Sequence, residues 1–492
     1  MRIPFPERVN LSYALIFATG LFVVQVLEAT NIFFACCVFC TILVAAVGFN
    51  VAGGLPYPSG AFIGFNAIFT IILPMVVKVF LGDAADSHLR TPLRTIEVYL
   101  LGMVSMFAAC VFSRRFRRRR AVIAGLLPVD SLKSAYVGCV VISILIFLYL
   151  SYLSRGGDGS FGSFLVQANR FPILTFVLGV IYTIHRTNGE RSVSLPLLGM
   201  MLFMSLGAFL TFSKEQLLTP FFAWAVTAAL LRYRLHWGNV VLFFVGMYFV
   251  VVYMVPYAQV GRDFQYPGYS RIQISGYLLT HMDEVRATYN EGTVGMVISN
   301  YYNRPLGLLN RLEVISGDDA LIDLTDREGP YGYQPIVFGF ENVIPHFLFP
   351  NKPKISYGNV YAHQIGILPP DDNDTGVSFS PSSDAYHEGR LTGVLLVEPL
   401  MLMLIFVVLD SVLGDVRRNP VGLLATILIS RAASEGALWF TPALIGQYLF
   451  TNVLAAYICA YVLPMLGSIF SKTIIGPAER PLLNPVHDTA SP

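Results

Sequence analysis

Stretches of about twenty consecutive apolar residues recur along the chain, each long enough to cross a bilayer core of roughly 30 Å as a helix. Windows of that length place spans near 11–28, 31–49, 61–80, 95–113, 133–153, 168–184, 192–212, 216–231, 236–256, 391–410, 420–438 and 443–466. The expected fold is therefore an all-α polytopic membrane protein of about twelve transmembrane helices. Only 13% of the 492 residues are charged, where soluble domains carry about 25%, which excludes an ordinary soluble enzyme. Arg2 and Arg8 precede the first run, but no small-residue cleavage site follows it, so it reads as an uncleaved span. All six cysteines fall inside apolar runs and read as small hydrophobes, with no disulfide framework or metal cluster among them.

Lys and Arg in the connections set orientation, because they resist translocation. Arg114, Arg115, Arg117, Arg118, Arg119 and Arg120 follow the fourth span and assign that connection to the cytoplasm. With it, Arg186, Arg191, Arg232, Arg234, Arg417, Arg418, Lys472 and Arg480 fall inside, and both termini are expected to be cytoplasmic. The chain then divides into a membrane domain over 1–256, one large outer segment over 257–390, a second membrane part over 391–470 and a cytoplasmic tail over 471–492. The outer segment holds nine Lys and Arg against sixteen Asp and Glu. Connections of such length are usually functional. Within it, 294–316 has the spacing of two short amphipathic helices broken at Pro305, and 326–335 and 369–376 read as turns.

Neither a phosphate-cradling GxxxxGK[ST] loop nor a strand-linked GxGxxG is present, and the inner connections are short. Nucleotide chemistry and nucleic-acid binding are therefore not expected, and no cofactor is implied. An outer-face reaction without nucleotide needs a donor that carries its own leaving group, such as a polyprenyl diphosphate. Its diphosphate calls for cations and its acceptor hydroxyl for a base. Candidate cations are Arg271, Arg304, Lys352 and Arg390; candidate acid–base groups are Asp384, His387 and Glu388. Lys214, at a short turn, and Arg431, four residues from Glu435 on one helix face, are further candidates inside the membrane, where charge is costly and pairs or lines a site. The scattered His281, His346, His363 and His387 lack zinc-ligand spacing, and Asp371, Asp372 and Asp374 read as a solvated turn.

Two stretches carry a resemblance. VIPHFLFPNKP at 343–353 resembles the I-P-R-x-x-x-P-x-K-P segment of Wzy-type O-antigen and oligosaccharide repeat-unit polymerases, with His346 where an arginine is common. SFSPSSDAYHEGRLTG at 378–393 is similar to the end of that family's large outer loop. The resemblance implies a GT-C-like fold in a bacterial inner membrane. It also implies transfer of a glycan from undecaprenyl diphosphate to a lipid-linked oligosaccharide repeat unit on the periplasmic face, alongside chain-length regulator and flippase partners. Arg271, Arg304, Lys352 and Arg390 would then meet lipid phosphates, and Glu388 or His387 would be the base. An O-antigen ligase shares this architecture and donor, and a lipid-linked oligosaccharide flippase is the non-enzymatic alternative.

Overall fold

The computed structural model describes residues 5–118, 120–123, 129–149, 170–212, 214–263, 269–290, 315–344, 355–368, 379–435 and 449–471, with isolated positions between them. Its elements are helices: α1 (Leu11–Leu27), α2 (Ile32–Ala52), α3 (Pro58–Leu81), α4 (Pro92–Phe116), α5 (Leu132–Leu148), α6 (Phe171–Arg186), α7 (Leu195–Thr211), α8 (Lys214–Leu230), α9 (Trp237–Phe249) and α10 (Val255–Asp263). Then come α11 (Arg271–Thr280), α12 (Met282–Asn290), α13 (Ile315–Glu328), α14 (Gln334–Glu341), α15 (Tyr357–Gln364), α16 (Pro381–Thr392), α17 (Glu398–Leu413), α18 (Pro420–Glu435), α19 (Leu449–Tyr457) and α20 (Leu463–Ser471).

Among the described residues five helical runs are long and apolar enough to cross a membrane: α2, α3, α4, the run from Pro381 to Arg418 and the run from Leu449 to Ile469. Seven shorter apolar helices accompany them, within α1, α5, α6, α7, α8, α9 and α18. Their ends follow local chemistry. Asn10 and Asn31 accept from the backbone N–H groups of Ser12 and Phe33 and so cap α1 and α2. Pro58 and Pro92 start α3 and α4, where a missing N–H costs no helical bond. The outer faces carry exposed Leu15, Ile16, Leu202, Leu242, Phe244 and Leu400, an apolar surface suited to lipid.

Lipid is as apolar as a leucine side chain, so close packing rather than hydrophobic burial holds such helices together. α4 is central and packs on α2, α17, α16 and α13. The C-terminal α20 lies against α5, and small residues bring the two backbones together. A Cβ on Gly467 would sit 1.7 Å from the carbonyl oxygen of Ser134, and one on Gly138 would sit 2.3 Å from that of Leu463.

Polar contacts sort the connections to two ends of the bundle. At one end Arg114 donates to the carbonyl of Val51, and Arg117 lies over the Tyr57 ring, 3.9 Å from Asp410. There Arg232 and Arg417 both meet Glu7, and Ile3 N–H donates to the carbonyl of Tyr233. At the other end Arg90 and Arg94 meet Asp323 and Asp326 of α13. Arg114, Arg117, Arg232 and Arg417 thus share one end, and α13 of the acidic segment lies at the other.

The described residues of the segment 257–390 form two helical groups. α10, α11 and α12 pack on each other, on α7 and on the turn Val250–Met254, around Tyr257, Ile274, Leu278 and Val285. α13 and α16 pack on each other and directly on α4, with α14 and α15 contributing Phe338, Tyr357 and Tyr361 to an adjoining core.

Candidate functional site

Serine, proline and aspartate in sequence make a strong helix start, and α16 uses it. Ser380 accepts from Ser383 N–H as N-cap, Pro381 follows, and Asp384 lies in the first turn. α16 ends in a break at Gly389 and Arg390, where Arg390 adopts φ 53 and ψ −140, sparsely populated for a residue with a side chain. The apolar run that follows begins beyond this kink. α16 therefore precedes the membrane-crossing part of its chain segment. Its approach to α4 depends on Gly102, where a Cβ would fall 1.9 Å from the hydroxyl of Ser382.

The seam between α4, α13 and α16 is filled with buried acids. Asp318 accepts from Ser380 N–H at 3.0 Å, from the Ser383 hydroxyl at 2.7 Å and from the Tyr99 hydroxyl. Burial pushes the Asp318 carboxyl above the ordinary range, against the pull of those hydrogen bonds. Asp319 turns to the start of α4, accepting from Arg90 N–H at 2.6 Å, Thr91 N–H at 3.0 Å and the Thr95 hydroxyl at 2.7 Å. Asp384 accepts from Leu438 N–H at 2.6 Å, and Glu398 accepts from the Ser382 hydroxyl at 2.9 Å. A cavity with room for about one water opens beside this seam, between Asn66, Thr70, Tyr99, Ser380 and Ser382.

Among the described residues His387, Glu388 and Glu398, through its Oε2, are left with unused hydrogen-bonding capacity in the seam. Glu388 is 1% exposed and neither carboxyl oxygen has a hydrogen-bond partner among the described residues. Burial, reinforced by Asp384, raises its pKa to about 10, so it carries a proton at neutral pH. His387 is 3% exposed, and its Nδ1 lies 2.8 Å from the Thr325 hydroxyl. Its Nε2 is buried without a partner among the described residues and burial lowers its pKa to about 4, so the ring is neutral. The Tyr361 and Tyr331 rings lie 4.7 and 5.4 Å from the imidazole. The turn carrying Tyr331 covers both groups: Tyr331 N–H donates to the carbonyl of His387 at 2.8 Å and Gly332 N–H to that of Glu388 at 3.0 Å. A neutral imidazole and a protonated carboxyl thus occupy consecutive buried positions of α16, and these are residue types that general acid–base chemistry uses.

The two shifts act oppositely on stability. Protonated Glu388 favours the folded state fully below the unfolded pKa near 4.5, and this contribution is lost as pH rises towards about 10. Neutral His387 favours it above pH 6.5 and loses that contribution as pH falls towards about 4. Glu388→Gln, which mimics the protonated acid, is therefore expected to flatten the alkaline fall in thermal stability, a slope of at most about 1.4 kcal/mol per pH unit. Melting curves between pH 6 and 9 in detergent check this. Parallel wild-type and variant profiles would refute it.

Of the nine residues expected to form the site, Asp384, His387, Glu388 and Arg390 come together. Arg390 is exposed beside the kink, donates to the carbonyl of Thr325 at 3.3 Å and has no carboxylate partner among the described residues. Arg271 does not join them. It is exposed at the start of α11, which packs on α7, α10 and α12. Arg304, Lys352 and His346 lie outside the described residues, as do most of 294–316 and 369–376; Lys214 and Arg431 lie in α8 and α18, with side chains that are not described. Tyr99, Asp318, Asp319, Thr325 and Glu398 belong to the same seam and were not singled out by spacing. The available signal was the pair Asp318–Asp319 inside ISGDDALIDLTD, where apolar residues recur at helical spacing around two acids.

No protein-family model, curated protein or solved structure matches the chain. On their own geometry the described residues form helices, several fit to cross a membrane, with His387 and Glu388 buried at the end of the bundle opposite Arg114, Arg117, Arg232 and Arg417.

Proposed function

We propose that the chain is a polysaccharide polymerase of about twelve spans and GT-C-like architecture in a bacterial inner membrane, with both termini cytoplasmic. It would join undecaprenyl-diphosphate-linked oligosaccharide repeat units on the periplasmic face. The observation that carries this reading is that His387 Nε2 and the Glu388 carboxyl are buried without a hydrogen-bond partner among the described residues, at the foot of an apolar helix and at the end away from Arg114, Arg117, Arg232 and Arg417. By positive-inside logic that end is periplasmic, where a lipid-linked donor brings its own leaving group.

In the proposed step the acceptor sugar's hydroxyl oxygen bonds to the donor's anomeric carbon, whose bond to the diphosphate oxygen breaks. His387 Nε2 takes the hydroxyl proton and undecaprenyl diphosphate departs as the anion. Glu388, being protonated, suits hydrogen-bond donation to sugar oxygens better than it suits the role of base. Arg390, exposed and without a carboxylate partner among the described residues, suits the leaving diphosphate. Arg304 and Lys352 complete the proposed set of phosphate ligands.

Purified protein supplied with lipid-linked repeat units tests the reading. A ladder of longer glycans on undecaprenyl diphosphate is the expected product. Transfer only to lipid A core would identify a ligase instead, and absence of any glycosidic bond formation would overturn both.

A further inference from the structure

The hydroxyl of Thr325 has one proton and two neighbours that compete for it. It lies 2.7 Å from the carbonyl oxygen of Leu321, one turn back on α13, and 2.8 Å from His387 Nδ1. A carbonyl oxygen can only accept, so the contact with Leu321 uses the Thr325 proton. The remaining contact then requires Nδ1 to donate. The other ring nitrogen argues the same way. Were Nδ1 bare, the proton would sit on Nε2, which is buried with no acceptor among the described residues, and an orphaned buried N–H is the rarer and costlier outcome.

We infer that Thr325 is a positioning residue: by accepting from Nδ1–H it holds His387 in the tautomer whose Nε2 is bare, and so selects the atom that takes the acceptor's proton. The function of that atom rests on the polymerase reading; the tautomer does not. Thr325 is itself wholly buried, and α13 is anchored to α4 through Asp318 and Asp319, so the hydroxyl is fixed before any substrate arrives. The Tyr331 and Tyr361 rings flank the imidazole without offering Nε2 a hydrogen bond.

Nitrogen-15 NMR of histidine-labelled full-length protein near neutral pH reads the tautomer directly, with the His387 signals among eight histidines identified by their loss in His387→Gln. The expected wild-type pattern is a protonated Nδ1 and a bare Nε2. Thr325→Val should shift the ring towards the Nε2–H form and slow glycan chain extension at least about tenfold. Thr325→Ser, which keeps the hydroxyl, should retain both signals and rate. A wild-type ring protonated at Nε2, or an unchanged tautomer in Thr325→Val, would overturn the inference. Should Thr325→Val fail to accumulate, the wild-type and Thr325→Ser spectra decide alone. Should the protein extend no glycan, the polymerase reading fails while the tautomer is still measured.

Discussion

His387→Ala is expected to leave the protein in the membrane and to slow repeat-unit joining by at least about 100-fold, the scale at which a positioned base acts. The reason is local. Nε2 is buried without a hydrogen-bond partner among the described residues, and the neutral ring can take a proton without first losing one. Glu388→Gln should be milder than Glu388→Ala, because a carboxyl that already holds its proton is a hydrogen-bond donor and an amide replaces that part of its chemistry. Extension of lipid-linked repeat units by equal amounts of each purified variant measures both effects. Wild-type rates in His387→Ala would remove the histidine from the reaction. A Glu388→Gln variant as inactive as Glu388→Ala would instead make the glutamate the base.

The largest effect on stability is expected from Asp319→Ala. The N–H groups at the start of a helix have no partner within it, and Thr91, at the N-cap of α4, offers no side-chain bond to them. Asp319 supplies acceptors from 228 residues away, taking the N–H groups of Arg90 and Thr91 and the Thr95 hydroxyl, and its negative charge faces the positive end of the helix. Alanine would strand those donors, at a cost of about 2–4 kcal/mol from charge-assisted hydrogen bonds and helix capping together. Asn, which keeps one oxygen, should lose less. Thermal unfolding in detergent provides the measurement, and a melting temperature unchanged in Asp319→Ala would show that solvent or neighbouring groups replace the cap. Since α13 also carries Thr325, the same variant should weaken the hold on His387 and reduce activity.

The helices themselves were legible because their signal is long and redundant. Within the described residues each segment expected to span overlaps an apolar helix: 31–49 begins one residue before α2 does, 95–113 falls within α4, and 133–153 begins one residue after α5 does. The site was legible in part. SFSPSSDAYHEGRLTG announces a capped helix bearing Asp384, His387 and Glu388 one turn apart, and it folds that way because Ser380 and Pro381 act on the residues next to them. Arg271 resembled Arg390 as an isolated cation in the outer segment, yet only Arg390 lies beside these acids. Its side chain reaches Thr325 of α13, whereas α11 packs on a different group of helices.

Residue order alone therefore determined the helical class, the apolar spans, the clustering of arginines in alternate connections and the start of α16, since each depends on neighbours within a few turns. Which acids share a seam, which nitrogen of His387 meets Thr325 and which carboxyl is desolvated were decided by tertiary structure. Those properties come from desolvation and from partners such as Thr325 and Asp319, brought in from 62 and more than 220 residues away, distances over which a local pattern carries no information.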